Sequence, residues 1–202
     1  MYKVYLFRQL ERVPEQYISL ALPILPKERY QKAIHYRQSR DRKNCIIAYL
    51  LLKQGLKECF QITDFTLQYE TYGKPYLPEY LNVYFNISHC NLGCAVAVAD
   101  IPIGIDYQDI RPFSWEIASR VCCPQELKIL EQSSNKATAF TRIWTRKESY
   151  LKMYGQGICC DLTQINTIHN KFIQTVDYGG GILSICMDDP FYLLNYSFND
   201  RT

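Results

Sequence analysis

Three side chains spaced four residues apart are the first feature of the sequence that could do chemistry. Trp144, Glu148 and Lys152, in the segment WTRKESYLK, would lie on one face of a helix. A Glu four residues before a Lys is also an ordinary ion pair on a solvated helix face, worth about 0.2–0.5 kcal/mol. The stripe therefore indicates a reactive site only if other segments bring metal- or phosphate-binding groups to the same face.

A carboxylate at the end of an apolar strand could act together with Glu148. Asp106 follows the apolar residues of IPIGID, a position where an acidic residue is also a common turn former. The two carboxylates could hold Mg²⁺, which prefers one or two such ligands together with waters and substrate phosphates. The side chain of Gln108, two residues later, would project from the same strand face as Asp106 and could offer its amide oxygen, whereas Asp109 would point away.

Groups that could bind phosphate oxygens occur in three further segments. Ser88 and His89 end the predicted strand NISH, and Lys74 lies in the turn motif GKP, although each of the three could instead be structural. Residues 27–43 hold seven Lys and Arg against two acidic residues. Such a basic helical face is either simply solvated or able to hold a polyphosphate.

Composition and charge exclude several classes of protein. The chain has 202 residues, 48% apolar and 21% charged, as in a globular protein. It lacks an apolar run of about 20 residues and an uninterrupted apolar start, so we expect no membrane span, no signal peptide and a cytoplasmic location. The nine cysteines, an odd number without zinc-like spacing, predict reduced thiols. A net charge of +3 is too small to indicate a nucleic-acid-binding protein by itself.

Helices and strands can be predicted along most of the chain. The predicted strands are YKVYLF, FTLQYET, VYFNIS, GCAVAVAD and IPIGIDYQD, and strand-like segments return after the last helix. The predicted helices run from Lys27 to Leu56 with Gly55 as the C-terminal cap, from near Ser114, from Pro124, and through WTRKESYLKMY to Gly155.

This order of elements repeats after about a hundred residues, because a Pro-x-Glu helix start followed by strand-rich sequence occurs near Pro26 and again near Pro124. The repeat predicts an α+β fold made of two pseudo-symmetric halves, residues 1–101 and 102–202, packed closely with a ligand cleft at the seam. We expect Trp144 to bury its ring between the halves and so to fix the helix that carries Glu148.

Four motifs in order resemble those of the Sfp-type 4′-phosphopantetheinyl transferases: YGKP (72–75), FNISH (85–89), IGID (103–106) and WTRKESYLK (144–152). The resemblance covers nearly the whole chain. It implies an enzyme whose two halves clasp coenzyme A as substrate and Mg²⁺ as cofactor. The implied reaction transfers phosphopantetheine from coenzyme A to a serine of an acyl- or peptidyl-carrier protein.

The resemblance also implies a role for each matching residue. Glu148 and Lys152 match the catalytic acid and the lysine beside the transferring phosphate. The implied metal ligands are Asp106, Gln108 and Glu148. The implied coenzyme-binding residues are Ser88, His89 and Lys152 at the phosphates, Lys74 at the adenine and phosphate end, and Arg29 and Lys32, with Lys43 or Arg42, at the 3′-phosphate. The implied carrier-docking residues are Phe113, Trp115, Ile117 and Arg120.

One departure from the family pattern leaves an alternative open. Many members carry Glu where this chain has Gln108, so we expect weaker Mg²⁺ binding. A bridging water or Asp109 would then supply part of the missing coordination. The alternative is a coenzyme A-binding homologue with weak or no catalysis. A second alternative is a nucleic-acid-binding module that uses the basic stretch and the many tyrosines. The main hypothesis is a monomeric enzyme that binds neither nucleic acid nor membranes.

Overall fold

The structure is a computed structural model that describes residues 1–157, 160–189 and 199–200. Its strands are β1 (Tyr2–Phe7), β2 (Gln68–Tyr69), β3 (Pro75–Tyr76), β4 (Tyr84–Cys90), β5 (Gly93–Ala99), β6 (Ile103–Asp109), β7 (Ile173–Tyr178), β8 (Gly181–Met187) and β9 (Asn199–Asp200). Its α-helices are α1 (Glu15–Ala21), α2 (Lys27–His35), α3 (Ser39–Phe60), α4 (Trp115–Val121), α5 (Pro124–Gln132) and α6 (Lys136–Tyr154). Short 3₁₀ turns cover Leu10–Arg12, Leu22–Ile24 and Leu162–Gln164.

The main strands of the two halves have the same order, and β9 extends the first sheet by pairing parallel with β1. In the first half, β1 pairs antiparallel with β5, and β5 pairs antiparallel with β4. In the second half, β6 pairs antiparallel with β8, and β8 pairs antiparallel with β7. A long helix, α3 or α6, lies between the first strand and the hairpin of each half. This arrangement is the predicted α+β fold, and the shared strand order is the structural counterpart of the sequence repeat.

The two sheets meet at their edge strands, β4 and β6. Two side chains of β4 accept hydrogen bonds from the backbone of β6: Asn86 Oδ1 from the Ile105 N–H at 2.9 Å, and Ser88 Oγ from the Tyr107 N–H at 3.0 Å. These bonds satisfy donors that an exposed sheet edge would leave unpaired. The two polar side chains therefore join the halves.

A single apolar cluster also spans the seam. Because it draws buried side chains from both sheets, separating the halves would expose it to water at a large free-energy cost. Its buried members are Val4, Leu6, Cys90, Ala95, Ala97 and Ala99 from the first half and Ile103, Ile105, Tyr107, Leu183, Ile185 and Met187 from the second.

Each long helix packs against its sheet at a glycine. A Cβ atom on Gly104 in β6 would overlap the backbone oxygen of Ser149 and lie 2.5 Å from the Met153 nitrogen, both in α6. A Cβ atom on Gly55 in α3 would lie 2.8 Å from the ring of Tyr5. The absence of a side chain therefore lets each helix approach its sheet closely.

The predicted helix from Lys27 to Leu56 was wrong in two respects. It is divided into α2 and α3, because Tyr36 adopts an extended conformation and packs its ring against the buried cluster between these helices. Gly55 is not a cap: α3 continues to Phe60, and Gln61 takes the left-handed conformation with φ of 58°. Gly55 instead lies where α3 packs against Tyr5, a contact that a capping rule does not consider.

Other predicted elements were confirmed, shortened or left outside the described residues. The strand over YKVYLF and the helix ending at Gly155 were confirmed. The strand predicted over FTLQYET is reduced to the two residues of β2. After β8, the predicted strand-like sequence over residues 190–198 lies outside the described residues. Among the described helices, none is both long and apolar enough to span a bilayer.

Replacing Gly104 should destabilise the fold far more than replacing Gly55. Gly104→Ala forces a methyl group against backbone atoms of α6, and we expect it to lower the free energy of unfolding by about 1–3 kcal/mol. Gly55→Ala meets side-chain atoms that can move and gains about 1 kcal/mol of helix propensity, so its net change should be within about 1 kcal/mol. Urea denaturation measures both. Equal losses for the two variants would contradict this account of the packing.

Candidate active site

Asp106 lies at the centre of the candidate active site. It is on the face of β6 that packs against α6, and only 4% of its surface is exposed. Its Oδ1 atom accepts hydrogen bonds from Ser88 Oγ at 2.8 Å and from Lys152 Nζ at 2.6 Å. Its Oδ2 atom is buried and has no hydrogen-bond partner among the described residues. A buried carboxylate oxygen without a partner is costly, so this atom is suited to a cation or donor that the protein does not itself supply.

Glu148 faces Asp106 from α6. Its side chain is half-buried. Burial and the nearby negative charge of Asp106 raise the pKa of Glu148, while the Lys152 ammonium group opposes the shift. The two carboxylates are therefore close enough to repel each other, and they share Lys152 as a cationic neighbour. Both acids come from the second half of the chain, and Ser88 reaches Asp106 from the first half.

The donor set fits a hard divalent cation such as Mg²⁺. A cation between the carboxylates would provide a partner for the unpaired Oδ2 atom of Asp106 and would reduce its repulsion with Glu148. Within the described residues, no group of three His, Cys, Asp or Glu side chains is positioned to hold a metal. The remaining ligands would therefore be neutral oxygens or substrate phosphates, as Mg²⁺ commonly uses.

Gln108 and Asp109 differ in orientation, as strand geometry requires. Gln108 is half-buried, two residues after Asp106, and lines a cavity of about 240 Å³ together with Thr141 and Trp144 of α6. Asp109 borders the same cavity, but its carboxylate accepts hydrogen bonds from the Asn91 backbone at 3.2 Å and side chain at 3.0 Å and lies 3.4 Å from Arg111. The alternation of side chains along a strand places Gln108, and not Asp109, on the strand face that carries Asp106.

Two adjoining cavities form a groove that leads from Lys152 to the basic residues of the first half. The cavity beside Lys152 has a volume of about 200 Å³, and the second has a volume of about 150 Å³. They share the lining residues Gly73, Pro75 and Ile87, so we treat them as one feature, the seam groove. Its two ends are lined by Lys152 at one and by Arg29, Lys32 and His89 at the other.

The far end of the seam groove is strongly basic. Arg29 is buried, with a hydrogen bond of 3.4 Å to the Cys45 carbonyl and its guanidinium 5.9 Å from the Tyr49 ring centre. Lys32 is exposed one turn along α2. Partial burial and, after it, the positive charges of Lys152 and Lys32 lower the pKa of His89. The His89 ring therefore resists protonation at this basic end of the groove. An anionic ligand would be attracted here.

Two residues with expected phosphate contacts have protein partners instead. Ser88 is buried, and its hydroxyl group donates to Asp106 while accepting from the Tyr107 backbone. Lys43 lies outside the lining of the seam groove: its ammonium group donates to the Val13 carbonyl at 2.7 Å and lies 3.3 Å from the Glu15 carboxylate. Both side chains therefore stabilise the protein's own structure in the form described.

Lys74 bridges the two halves. It follows the tight turn between β2 and β3, and its ammonium group donates to the Met153 carbonyl in the last turn of α6 at 2.5 Å. Burial lowers the pKa of Lys74, and the nearby Glu70 carboxylate opposes that shift. The residue thus lines the seam groove while binding the helix that carries Glu148 and Lys152.

A buried ion pair behind Glu148 was not predicted from the sequence. Lys147 and Glu126 are 1% and 0% exposed, and their charged atoms are 2.7 Å apart. Lys147 also donates to the carbonyls of Leu162 and Ile165, and Glu126 accepts from the Cys123 backbone at 2.9 Å. The pair joins α5, α6 and the loop after α6. The only sequence signal was the Glu three residues after Cys123, which is typical of a capping box.

The helix α4 presents an apolar surface near Gln108. Trp115 is 46% exposed and Ile117 is 52% exposed. Phe113 supports this surface from below, with its ring centre 4.9 Å from that of Trp115. Arg120 is exposed and pairs with Glu116 at 2.9 Å. The four residues named from the sequence therefore lie on or directly beneath one helix.

The predicted position of Trp144 between the two halves was wrong. The ring is half-buried and packs within a cluster formed by the second half alone, where its centre lies 6.4 Å from that of Phe140. The reason is geometric: Lys152, two turns further along α6, reaches Ser88 of β4, whereas Trp144 lines a cavity with Ile117 of α4. Trp144 therefore supports the second half and contributes to the cavity beside Gln108.

Comparisons with known proteins agree on one family. Residues 12–101 match the family model of the 4′-phosphopantetheinyl transferase N-terminal region, and residues 102–185 match that of the 4′-phosphopantetheinyl transferase superfamily. A 4′-phosphopantetheinyl transferase of Bacillus subtilis is 28% identical over 166 residues, covering 80% of this chain and 73% of that protein. One of Aneurinibacillus migulanus is 28% identical over 156 residues, covering 75% and 65%. HetI, a 4′-phosphopantetheinyl transferase of a Nostoc species, is 38% identical over 98 residues, covering 45% and 41%.

Breaking the buried ion pair should destabilise the protein strongly. Lys147→Met leaves the Glu126 carboxylate buried without its charged partner, and we expect the free energy of unfolding to fall by about 3–5 kcal/mol. Adding Glu126→Leu in the same chain should recover part of this loss, because the unpaired charge is removed. Chemical denaturation at neutral pH measures both effects.

The exposed pair of Arg120 and Glu116 provides the control. Arg120→Met should change the free energy of unfolding by no more than about 0.5 kcal/mol, because an exposed pair four residues apart contributes little. If Lys147→Met were equally mild, the ion pair would not hold α5 and α6 together.

Proposed function

The chain belongs to the 4′-phosphopantetheinyl transferase superfamily, and from that membership we propose that it transfers phosphopantetheine from coenzyme A to a serine of an acyl- or peptidyl-carrier protein. The single observation that supports the proposal best is the contact of Lys152, at the end of the basic seam groove, with Asp106, beside which Glu148 lies. Cationic groups and metal-binding carboxylates placed together suit a polyphosphate substrate.

Coenzyme A would lie along the seam groove. Its 3′-phosphate would lie near Arg29 and Lys32, which line the basic end of the seam groove. Its pyrophosphate would extend past His89 towards Lys152. Tyr72, Gly73 and Pro75 border the groove between these ends and would contact the adenosine. Lys43 would join only by leaving Glu15.

The reaction is phosphoryl transfer to an alcohol. The serine oxygen of the carrier forms a bond to the phosphorus that carries pantetheine, and the bond from this phosphorus to the bridging oxygen of the pyrophosphate breaks. Adenosine 3′,5′-bisphosphate leaves with that oxygen, and the serine proton passes to Glu148. Lys152 would stabilise the negative charge of the phosphate oxygens in the transition state.

Glu148 is suited to accept this proton. Burial raises its pKa, and a carboxylate with a raised pKa is a better base near neutral pH than an ordinary glutamate. Asp106, Gln108 and Glu148 would hold Mg²⁺, and Ser88 would keep Asp106 in position. When bound, Mg²⁺ would neutralise charge on the phosphate groups.

The carrier protein would dock on α4. Carrier proteins are acidic and helical, so they would match a surface that combines the exposed Trp115 and Ile117 with the exposed Arg120. Phe113 would support this surface through its contact with Trp115. The carrier serine could then approach Glu148 past the cavity lined by Gln108 and Trp144.

We further propose that a single chain is the working unit and that it acts in the cytoplasm. Both walls of the seam groove and all the proposed ligands belong to one chain, so no second copy is needed to complete the site. The eight described cysteines are free thiols, which fits a reducing compartment.

The direct test of the proposed function is a carrier-modification assay by mass spectrometry. Wild-type protein, coenzyme A, Mg²⁺ and a panel of apo carriers should give a carrier that bears phosphopantetheine on its serine. Glu148→Gln should reduce kcat by at least about 100-fold, because it removes the proton acceptor and replaces a charged metal ligand by a neutral one. Gln108→Ala should reduce kcat much less, because it removes one neutral ligand.

Three results would contradict parts of this proposal. Comparable rates for Glu148→Gln and Gln108→Ala would refute the role assigned to Glu148. Coenzyme A binding without modification of any carrier would favour the homologue that binds the coenzyme but lacks catalysis. Salt-sensitive RNA binding without coenzyme binding would favour the nucleic-acid-binding alternative.

The neutral ligand at position 108 should weaken Mg²⁺ binding and so raise the Mg²⁺ concentration that the enzyme needs. Gln108→Glu adds a charged oxygen beside Asp106, so half-maximal activity should be reached at a several-fold lower Mg²⁺ concentration than in wild type. Gln108→Met, which is similar in size but is not a hard oxygen ligand, is the control and should require more Mg²⁺. An unchanged Mg²⁺ requirement in both variants would show that residue 108 is not a ligand.

A further inference from the structure

Lys74 makes an unusual contact for a residue expected to bind the coenzyme. The turn that precedes it is closed by hydrogen bonds from the Gly73 N–H to the Glu70 carbonyl at 2.8 Å and from the Glu70 N–H to the Lys74 carbonyl at 2.9 Å. The side chain leaves this rigid turn, crosses the seam, and donates to the Met153 carbonyl at 2.5 Å. It is a contact between the two halves.

The partner of Lys74 is a carbonyl that the helix itself cannot satisfy. The last four carbonyls of a helix lack their usual intrahelical donors. At the end of α6, the N–H groups of Gly155 and Gln156 both bond to the Leu151 carbonyl. Lys74 supplies a donor to the Met153 carbonyl, and its positive charge is favourable beside the negative end of the helix dipole.

The same turn of α6 is constrained from the opposite side. Gly104 of β6 lies against the Met153 backbone so closely that a side chain would overlap it. On the other side, a Cβ atom on Gly155 would overlap the Glu70 carboxylate and lie 3.1 Å from the Lys74 side chain. The last turn of α6 is thus held between β6 and the turn that carries Lys74.

Lys152 lies within this clamped turn. It is adjacent in sequence to Met153, and its ammonium group must reach both Asp106 at 2.6 Å and Ser88 at 3.2 Å. Its side chain is 29% exposed and lines the same cavity as Lys74. A small movement of the turn would therefore displace the charge that is proposed to meet the transferring phosphate.

We infer that Lys74 is a positioning residue that fixes Lys152 by binding the Met153 carbonyl, rather than chiefly a ligand of the coenzyme phosphates. The inference rests on the proposed function, because it assigns Lys74 a part in the same reaction. Lys74 also joins the wall of the seam groove, residues 72–75, to the helix that carries the reactive groups.

The test compares Lys74→Met with Lys32→Met in steady-state carrier modification. Lys74→Met keeps the length of the side chain and removes the donor, so kcat should fall about 10- to 100-fold while KM for coenzyme A changes by less than about threefold. Lys32→Met should show the opposite pattern, with a raised KM and a nearly unchanged kcat. Lys74→Arg, which can still donate to the carbonyl, should recover most of the lost kcat.

A second measurement needs no carrier protein and no activity. Hydrogen exchange of the amides at 151–156 should be about tenfold faster in Lys74→Met than in wild type, because one charge-assisted hydrogen bond is lost. The affinity for coenzyme A, measured by calorimetry, should remain within about threefold of wild type. If Lys74→Met does not fold, Lys74→Gln, whose side chain is shorter and uncharged, should give the same pattern.

Several results would overturn the inference. A rise of tenfold or more in KM and Kd for coenzyme A, with unchanged kcat and unchanged exchange at 151–156, would make Lys74 a phosphate ligand. Wild-type kinetics and exchange in Lys74→Met would show that the contact is unimportant. Failure of the wild-type protein to modify any carrier would instead count against the proposed function, and the exchange measurement would still decide the role of Lys74.

Discussion

The structure depends on a buried carboxylate, Asp106, that is only partly satisfied by the protein. One oxygen is held by Ser88 from the first half and by Lys152 from α6, and the other has no partner among the described residues. Burying such a group is costly, so the surrounding fold must hold it in place. The seam between the halves does so: Asn86 and Ser88 fix β6 against β4, and the shared apolar cluster holds the sheets together. Lys147 and Lys74 fix α6 from behind and at its end.

The repeated scaffold explains why only one half carries this carboxylate. The hairpins β4–β5 and β7–β8 have equivalent registers, so Val96 corresponds to Ser184. Val96 pairs with Tyr5 of β1, and Ser184 pairs with Asp106 of β6. Tyr5 therefore occupies in the first half the position that Asp106 occupies in the second. It packs in an apolar cluster with α3, whereas Ser184 bonds to Thr145 and Thr175 around the polar face of α6. One half stabilises the fold through apolar packing, and the other supplies the acidic groups.

Local sequence patterns were sufficient to predict much of this architecture but not its contacts across the seam. The alternation in YKVYLF, the cap at Gly155 and the hundred-residue repeat depend on neighbouring residues, and they predicted β1, the end of α6 and the α+β halves correctly. Gly55 was misinterpreted because its role is set by Tyr5, which is distant in sequence. The partners of Ser88 and Lys74, and the ion pair of Lys147 with Glu126, likewise depend on contacts between segments that no local pattern specifies.

The central claim is that Asp106 and Glu148 bind one divalent cation together. Mn²⁺, a paramagnetic substitute for Mg²⁺, can be titrated into the protein in the presence of coenzyme A and followed by electron paramagnetic resonance. The account predicts a single bound Mn²⁺ in wild type and at least about tenfold weaker binding in both Asp106→Asn and Glu148→Gln. Wild-type Mn²⁺ affinity in either variant would contradict it.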